Sequence, residues 1–309
     1  MRKLPVLSTV FASAAVLASV SVASATPPTG QFSATEYGRA QQVANAKVVA
    51  ATGHDVLSST YTVAPGGDTG WRTGPGTTAL AVTKGSLKVD QAAGCASGDL
   101  AAGNALVLPP GTFRLHNAGQ QPVELLANFT GLPHGGGAPL VDGPAEAAPP
   151  CAGSAAASVA NGISTGKSFR GDPTPYFEQH MGAMAYGASE ELPIEAGKDA
   201  FMTTVTLQPG FSTGWFAHTP HVAILSQGTW AFYMPRNGKC EKVEEYHAGQ
   251  AWIHPVHRHL GVVEGNEPAV ITLFGFNLRH GEPLPVLDSA PDHFDFMQPP
   301  PSECPTQLR

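Results

Sequence analysis

Six of the twelve histidines in this 309-residue chain fall within 42 positions: His218, His221, His247, His254, His257 and His259. An even spread would put one or two there. Imidazoles at this density, with few carboxylates nearby, suit a transition metal. Calcium and magnesium take oxygen ligands instead. Neutral imidazoles also leave coordination positions open for water or substrate, as catalytic centres require. The competing reading is a group of histidines that only hydrogen-bond within a polar barrel mouth. No Ser-His-Asp order, phosphate loop, Cys-x-x-Cys or dinucleotide fingerprint accompanies them. Asn128-Phe129-Thr130 is a glycosylation sequon in an expected buried strand. Glu241, Lys242, Glu244 and Glu245 read as a solvated charged stretch.

The elements that carry these histidines are short strands. Gly and Pro together make 63 of 309 residues, which argues against a helical bundle. With 42% hydrophobic residues the chain can build a core, so disorder is excluded. A net charge of −7 and no basic patch argue against nucleic acid as a partner. The chain also repeats itself. Thr60 to Trp71 (Thr-Tyr-Thr-Val-Ala-Pro-Gly-Gly-Asp-Thr-Gly-Trp) matches Thr204 to Trp215 (Thr-Val-Thr-Leu-Gln-Pro-Gly-Phe-Ser-Thr-Gly-Trp) at an offset of 144. Gly85 matches Gly228, Cys95 matches Cys240, Gly103 matches Gly249 and Pro122 matches Pro268, in the same order. A duplicated domain of strands follows. Apolar runs bounded by turns mark the strands, such as Thr78–Val82 with Val222–Leu225 and Val123–Phe129 with Ala269–Phe276. Trp71 and Trp215 read as equivalent core aromatics.

The first 25 residues read as a secretory signal. Arg2 and Lys3 precede an apolar, Ala-rich run, and Ala23-Ser24-Ala25 forms a small-x-small cleavage site. Cleavage after Ala25 leaves 284 residues and takes the charge from −7 to −9, since two positive side chains leave with the signal. The mature chain is then expected outside the cell, free of the membrane, as a monomer or homo-oligomer with a small-molecule partner. In that compartment Cys95, Cys151, Cys240 and Cys304 are expected to form disulfides. The repeat favours Cys95 with Cys151 and Cys240 with Cys304, against bonds between the copies or free thiols. Each such bond would be worth roughly 4 kcal/mol on the chain-entropy model. Residues 134–165 read as a Gly/Pro/Ala-rich linker, and 280–309 as a Pro-rich tail held by Cys304. Tyr176, Phe177, Met181 and Tyr186 suggest that the segment after the linker packs.

Both copies resemble cupin domains, on the following residues. The first cupin motif is Gly, five residues, His-x-His, a short gap, Glu, six residues, Gly. The second copy matches it with Gly210, His218 and Gly228. His221 stands at the Glu position, and Phe216 replaces the first His. The second motif is Gly, five residues, Pro, x, Gly, two residues, His. Gly103, Pro109 and Gly111 match it in the first copy, Gly249 and Pro255 in the second. There His257 replaces Gly, and His259 is the best match to the motif's His.

The resemblance implies an all-β bicupin: two tandem double-stranded β-helix (jelly-roll) barrels, with residues 26–133 and 166–279 as their spans. It implies one transition-metal ion (Fe, Mn, Cu, Ni or Zn) in the second barrel on His218, His221 and His259. His257 is the alternate, because it shares a strand face with His259, and His254 is expected to face the other way. In the first copy Arg72 and Gly74 replace the His-x-His, Thr78 the Glu and Arg114 the second-motif His, so that barrel is expected to be metal-free. Similar bicupins and barrels include oxalate decarboxylases, oxalate oxidases and dioxygenases acting on quercetin. Metal-dependent oxidoreductase or dioxygenase-like activity on a small organic substrate is therefore one expectation. A non-catalytic metal- or ligand-binding protein, or a purely structural module, is the other. No acidic residue is placed as an acid or base, which counts against an oxalate enzyme.

Overall fold

A computed structural model describes residues 29–142 (except 52), 160–173 and 189–282 (except 237–238 and 255–257). The signal segment, Cys151, Cys304, the aromatic residues of 176–186, most of the Pro-rich tail and His257 lie outside the described residues. Nearly every element is a strand. The first half holds β1 (Phe32–Gln42), β2 (Ala46–Ala51), β3 (Asp55–Gly74), β4 (Thr78–Lys84), β5 (Ser86–Gln91), β6 (Ser97–Ala101), β7 (Asn104–Leu108), β8 (Gly111–His116) and β9 (Val123–Leu132). The second holds β10 (Asn161–Pro173), β11 (Ser189–Ile194), β12 (Asp199–Leu207), β13 (Ser212–Ala217), β14 (His221–Gln227), β15 (Thr229–Arg236), β16 (Lys239–His247), β17 (Gln250–His254), β18 (Arg258–Glu264) and β19 (Ala269–Leu278). Among the described residues no helix is long and apolar enough to cross a membrane.

The repeat folds into two barrels with the same strand order. In the second, β17-β14-β19-β12 faces β13-β18-β15-β16. In the first, β7-β4-β9-β3 continues through β3 into β3-β8-β5-β6. The twenty residues of β3 do the work of β12 and β13 together: Asp55 to Val63 pair with β9, and Asp68 to Gly74 pair with β8. The change of sheet falls at Pro65-Gly66, and its counterpart is Pro209-Gly210. Both glycines have positive φ (72° and 75°), a backbone that L side chains rarely adopt. Two antiparallel sheets closed face to face are a double-sheet jelly roll, so the all-β, two-barrel expectation is met.

Strand alternation sorts the apolar residues into three large cores and a small fourth cluster of Trp215, Leu260 and Val262. On β14, Ala223 and Leu225 point into the second barrel beside Trp230, Phe232 and Trp252. Val222 and Ile224, between them, join a core shared by the two barrels with Ala79, Ala81, Met202 and Phe274. Leu80, Val82, Phe113 and Leu125 fill the first barrel.

The barrels exchange strands, which places two elements differently from the expected spans. β1 precedes the first barrel in the chain, yet pairs antiparallel with β12 of the second, from Phe32 with Leu207 to Gln41 with Asp199. β10 begins at Asn161, inside the stretch expected as linker, and pairs with β3 of the first barrel. The physical reason is edge protection. β3 and β12 would otherwise present unpaired backbone groups on one side.

Each barrel is also closed by a buried aspartate. Asp55 Oδ1 lies 2.8 Å from His134 Nδ1, and Oδ2 accepts from the Gly135 N–H at 2.9 Å and Arg170 at 2.8 Å. Its counterpart 144 residues on, Asp199, lies 2.8 Å from His280 Nδ1 and accepts from the Gly281 N–H at 3.4 Å. Asn128, the sequon residue, is buried and donates to Ser58 Oγ at 2.9 Å. Neither Cys95 nor Cys240 is a free thiol. The expected pairing involves Cys151 and Cys304, which are not described.

Candidate metal centre

Four strand ends bring histidines to one end of the second barrel. β14 begins with His221, whose face is that of Ala223 and Leu225 in the barrel interior. β17 ends with His254, two residues from the interior Trp252. His221 and His254 are cross-strand partners. His259, near the start of β18, shares its face with Val263 in the same core. His218 follows β13. All four rings are buried, His254 fully.

The ligating atoms of His218, His254 and His259 lie within 4.8 Å of one another. Ring centroids are 4.4 Å apart for His218 and His254, 4.7 Å for His254 and His259, and 4.9 Å for His218 and His259. A metal bound by imidazole at about 2.0–2.1 Å holds two such nitrogens no more than about 4.2 Å apart. Three nitrogens in tetrahedral geometry sit about 3.4 Å apart, so a set within 4.8 Å of one another has to close by up to roughly 1.4 Å to hold an ion. His221 flanks it, 4.4 Å from the His218 ring and 5.3 Å from His254. Among the described residues this is the group of histidine, cysteine and carboxylate side chains arranged to hold an ion.

The backbone sets the tautomers. The Thr219 carbonyl lies 2.9 Å from His218 Nδ1 and 3.0 Å from His221 Nδ1. A carbonyl only accepts, so each Nδ1 carries the hydrogen and each neutral ring presents its lone pair at Nε2. Such a partner to the non-ligating nitrogen orients a ligand histidine and raises its basicity. Phe232 backs the group, stacked on His254 at 4.9 Å and edge-on to His259 at 4.4 Å.

Of the expected ligands, His218, His221 and His259 do come together, and His257 is not described. The expectation that His254 faces away is overturned. That reading counted alternation back from His259 as if one strand ran through. β17 ends at His254 and β18 starts at Arg258, so the pleat's parity does not carry across 255–257. Counting within β17 from Trp252, a core residue, gives the observed side.

No protein-family model matches the sequence, and no curated protein matches it. Solved structures do. A tryptophan-to-phenylalanine variant of oxalate decarboxylase from B. subtilis matches over 81% of this chain and 78% of its own, at 14% identity and a TM-score of 0.32. An arginine-to-alanine variant of the Bacillus subtilis enzyme gives the same values, as does a structure reported for its Mn(II) centres. This likeness is in fold and distant.

The first barrel shows what the same positions become without ligands. Thr78 pairs with Leu108 as His221 pairs with His254. Trp71 pairs with Arg114 as Trp215 pairs with Leu260, which makes Phe113 the counterpart of His259. Arg114 therefore does not occupy the ligand position. It points to the other face, where its guanidinium pairs with Asp68 and lies 4.0 Å from Asp90. The four counterparts are Gly74, Thr78, Leu108 and Phe113. A Cβ on Gly74 would sit 3.1 Å from both the Phe113 ring and Thr78 Oγ1, so packed side chains fill the space.

Proposed function

We propose that the second barrel holds one transition-metal ion on His218, His254 and His259, with His221 beside it, and that the protein is a metal-dependent oxidoreductase of dioxygenase-like type acting on a small organic substrate. The observation that supports this is the convergence of three buried histidines, from three different segments, on one point. Burial of neutral imidazoles with no carboxylate among them favours a transition metal. When bound, such an ion supplies an open Lewis-acidic position and, for a redox-active metal, electron transfer. The protein's own residues orient the rings through Thr219 and exclude bulk water with the surrounding aromatic wall.

A non-catalytic metal- or ligand-binding role is the second reading. It is favoured by one observation: the described lining of the cavity contains no Asp, Glu or Lys to act as acid or base. Metal analysis of the purified protein, followed by oxygen-consumption assays on small organic substrates, tests both. Stoichiometric metal with turnover supports the enzyme. Stoichiometric metal without turnover supports the binder. No metal bound, or metal binding unchanged in His254→Ala, overturns the site.

Export is part of the same proposal, supported by the signal-like start of the sequence. N-terminal sequencing of secreted protein beginning at Thr26 is the expected result.

A further inference from the structure

We propose that the second-barrel site takes a ligand with a single anionic oxygen head and an apolar body, and rejects dicarboxylates. This rests on the metal reading above. Three neutral imidazoles cancel none of a divalent ion's charge, so the loaded site attracts anionic oxygen strongly, and the choice between one carboxylate and two falls to the wall around it.

Beyond that point the wall changes character. The histidines open into a cavity of about 60 Å³ walled by Phe201, Leu207, Trp230, Phe232, Trp252 and Ile271, among others. Among its described lining residues none is Asp, Glu, Lys, Arg, Asn or Gln. Its hydroxyls are those of Thr213 and Thr219. The Thr213 hydroxyl is already committed. It accepts the Gly261 N–H at 2.8 Å and donates to backbone carbonyls.

A second carboxylate on the ligand would surrender its water and find, among the described lining residues, neutral donors and no Lys or Arg side chain in exchange. A buried unpaired charge of that kind is strongly disfavoured. Even when both carboxylates of oxalate face an ion, its outer oxygens still need donors, and the described lining offers neutral ones, the indole N–H groups of Trp230 and Trp252 and the Thr219 hydroxyl, with no Lys or Arg. A methyl or methylene in the same place meets the wall without loss. Size acts in the same direction. The cavity, at about 60 Å³, is about two fifths of the roughly 150 Å³ engineered cavity that accepts benzene, so it admits the head of a ligand and a handful of heavy atoms.

The experiment uses the full chain loaded with Co²⁺, whose visible absorption reports ligand binding at the ion. Two matched pairs are titrated while cobalt stays bound: acetate with oxalate, and propionate with malonate. Within each pair a methyl becomes a carboxylate. The expected result is that acetate and propionate perturb the spectrum at concentrations about tenfold or more below their partners, the reverse of free Co²⁺, which the dicarboxylates chelate. Equal or tighter binding of oxalate or malonate overturns the proposal, as does a spectrum that neither monocarboxylate perturbs. If cobalt does not bind stoichiometrically, the metal reading itself fails, and that outcome is read before any ligand is added.

Discussion

His254 separates the expected ligand set from the observed one, and its substitution is the sharpest residue-level test. His254→Ala is expected to weaken metal binding by at least about tenfold, the lower end of what loss of even an outer partner does. Equilibrium dialysis against Zn²⁺ or Co²⁺ measures it. His247→Ala serves as the control, since His247 is exposed on β16 and lies 3.2 Å from Glu245. Arg72 raises a different matter in the first barrel. It is cross-strand from Phe113, 3% exposed, and its Nε is buried with no partner among the described residues. That N–H has given up water without a hydrogen bond in exchange. Arg72→Met is expected to stabilise the fold by about 1–4 kcal/mol, measured by urea unfolding. No change, or a loss, would mean that the cation has an offsetting partner.

At the scale of elements, the aspartate clasps tie the start of one strand to the turn after another. Burial pushes the Asp55 carboxyl up, but the hydrogen bonds from Arg170, the Gly135 N–H and His134 more than reverse this and hold it below the usual range. A carboxylate held low in the folded state stabilises the protein above its unfolded pKa, near 3.9. That stability is lost as pH falls through the folded value. Asp55→Asn is expected to cost about 1.5–3 kcal/mol at neutral pH, the worth of hydrogen bonds to a charged group. It should also flatten the acid limb of stability against pH. Urea midpoints of both proteins from neutral to strongly acidic pH check the two parts together. The clasps were visible in the sequence as Asp55 with Asp199 and His134-Gly135 with His280-Gly281, at offsets of 144 and 146. The turn residues that mark the repeat do not mark these polar matches.

For the whole molecule, strand exchange makes the barrels interdependent. A chain cut to residues 160–282 keeps every ligand histidine but lacks β1, and so leaves β12 and the shared core around Met202 and Phe274 open. Such a fragment is expected to lose cooperative thermal unfolding and to associate, as circular dichroism and size-exclusion chromatography would show. A sharp transition in a monomeric fragment would mean that the exchange is dispensable. The disulfides belong to this scale too. A non-reducing peptide map is expected to join Cys95 to Cys151 and Cys240 to Cys304, and a Cys95–Cys240 peptide would reject that pairing.

The amino-acid order by itself determined the strand-rich class, the duplication and the concentration of histidines, because each is a local pattern: turn residues, alternation, and matched spacing. It also located the apolar runs Val222–Leu225 and Val123–Phe129, which lie in β14 and β9. Which histidines converge was decided by tertiary structure alone. His254 and His259 do not follow one count of alternation, and facing direction depends on where strands start and stop. The exchange of β1 and β10 was equally hidden, because strand pairing between distant segments leaves no local trace. The same holds for Phe113 against Arg114. One residue of register decides which side chain enters a barrel, and register is set by the partner strand.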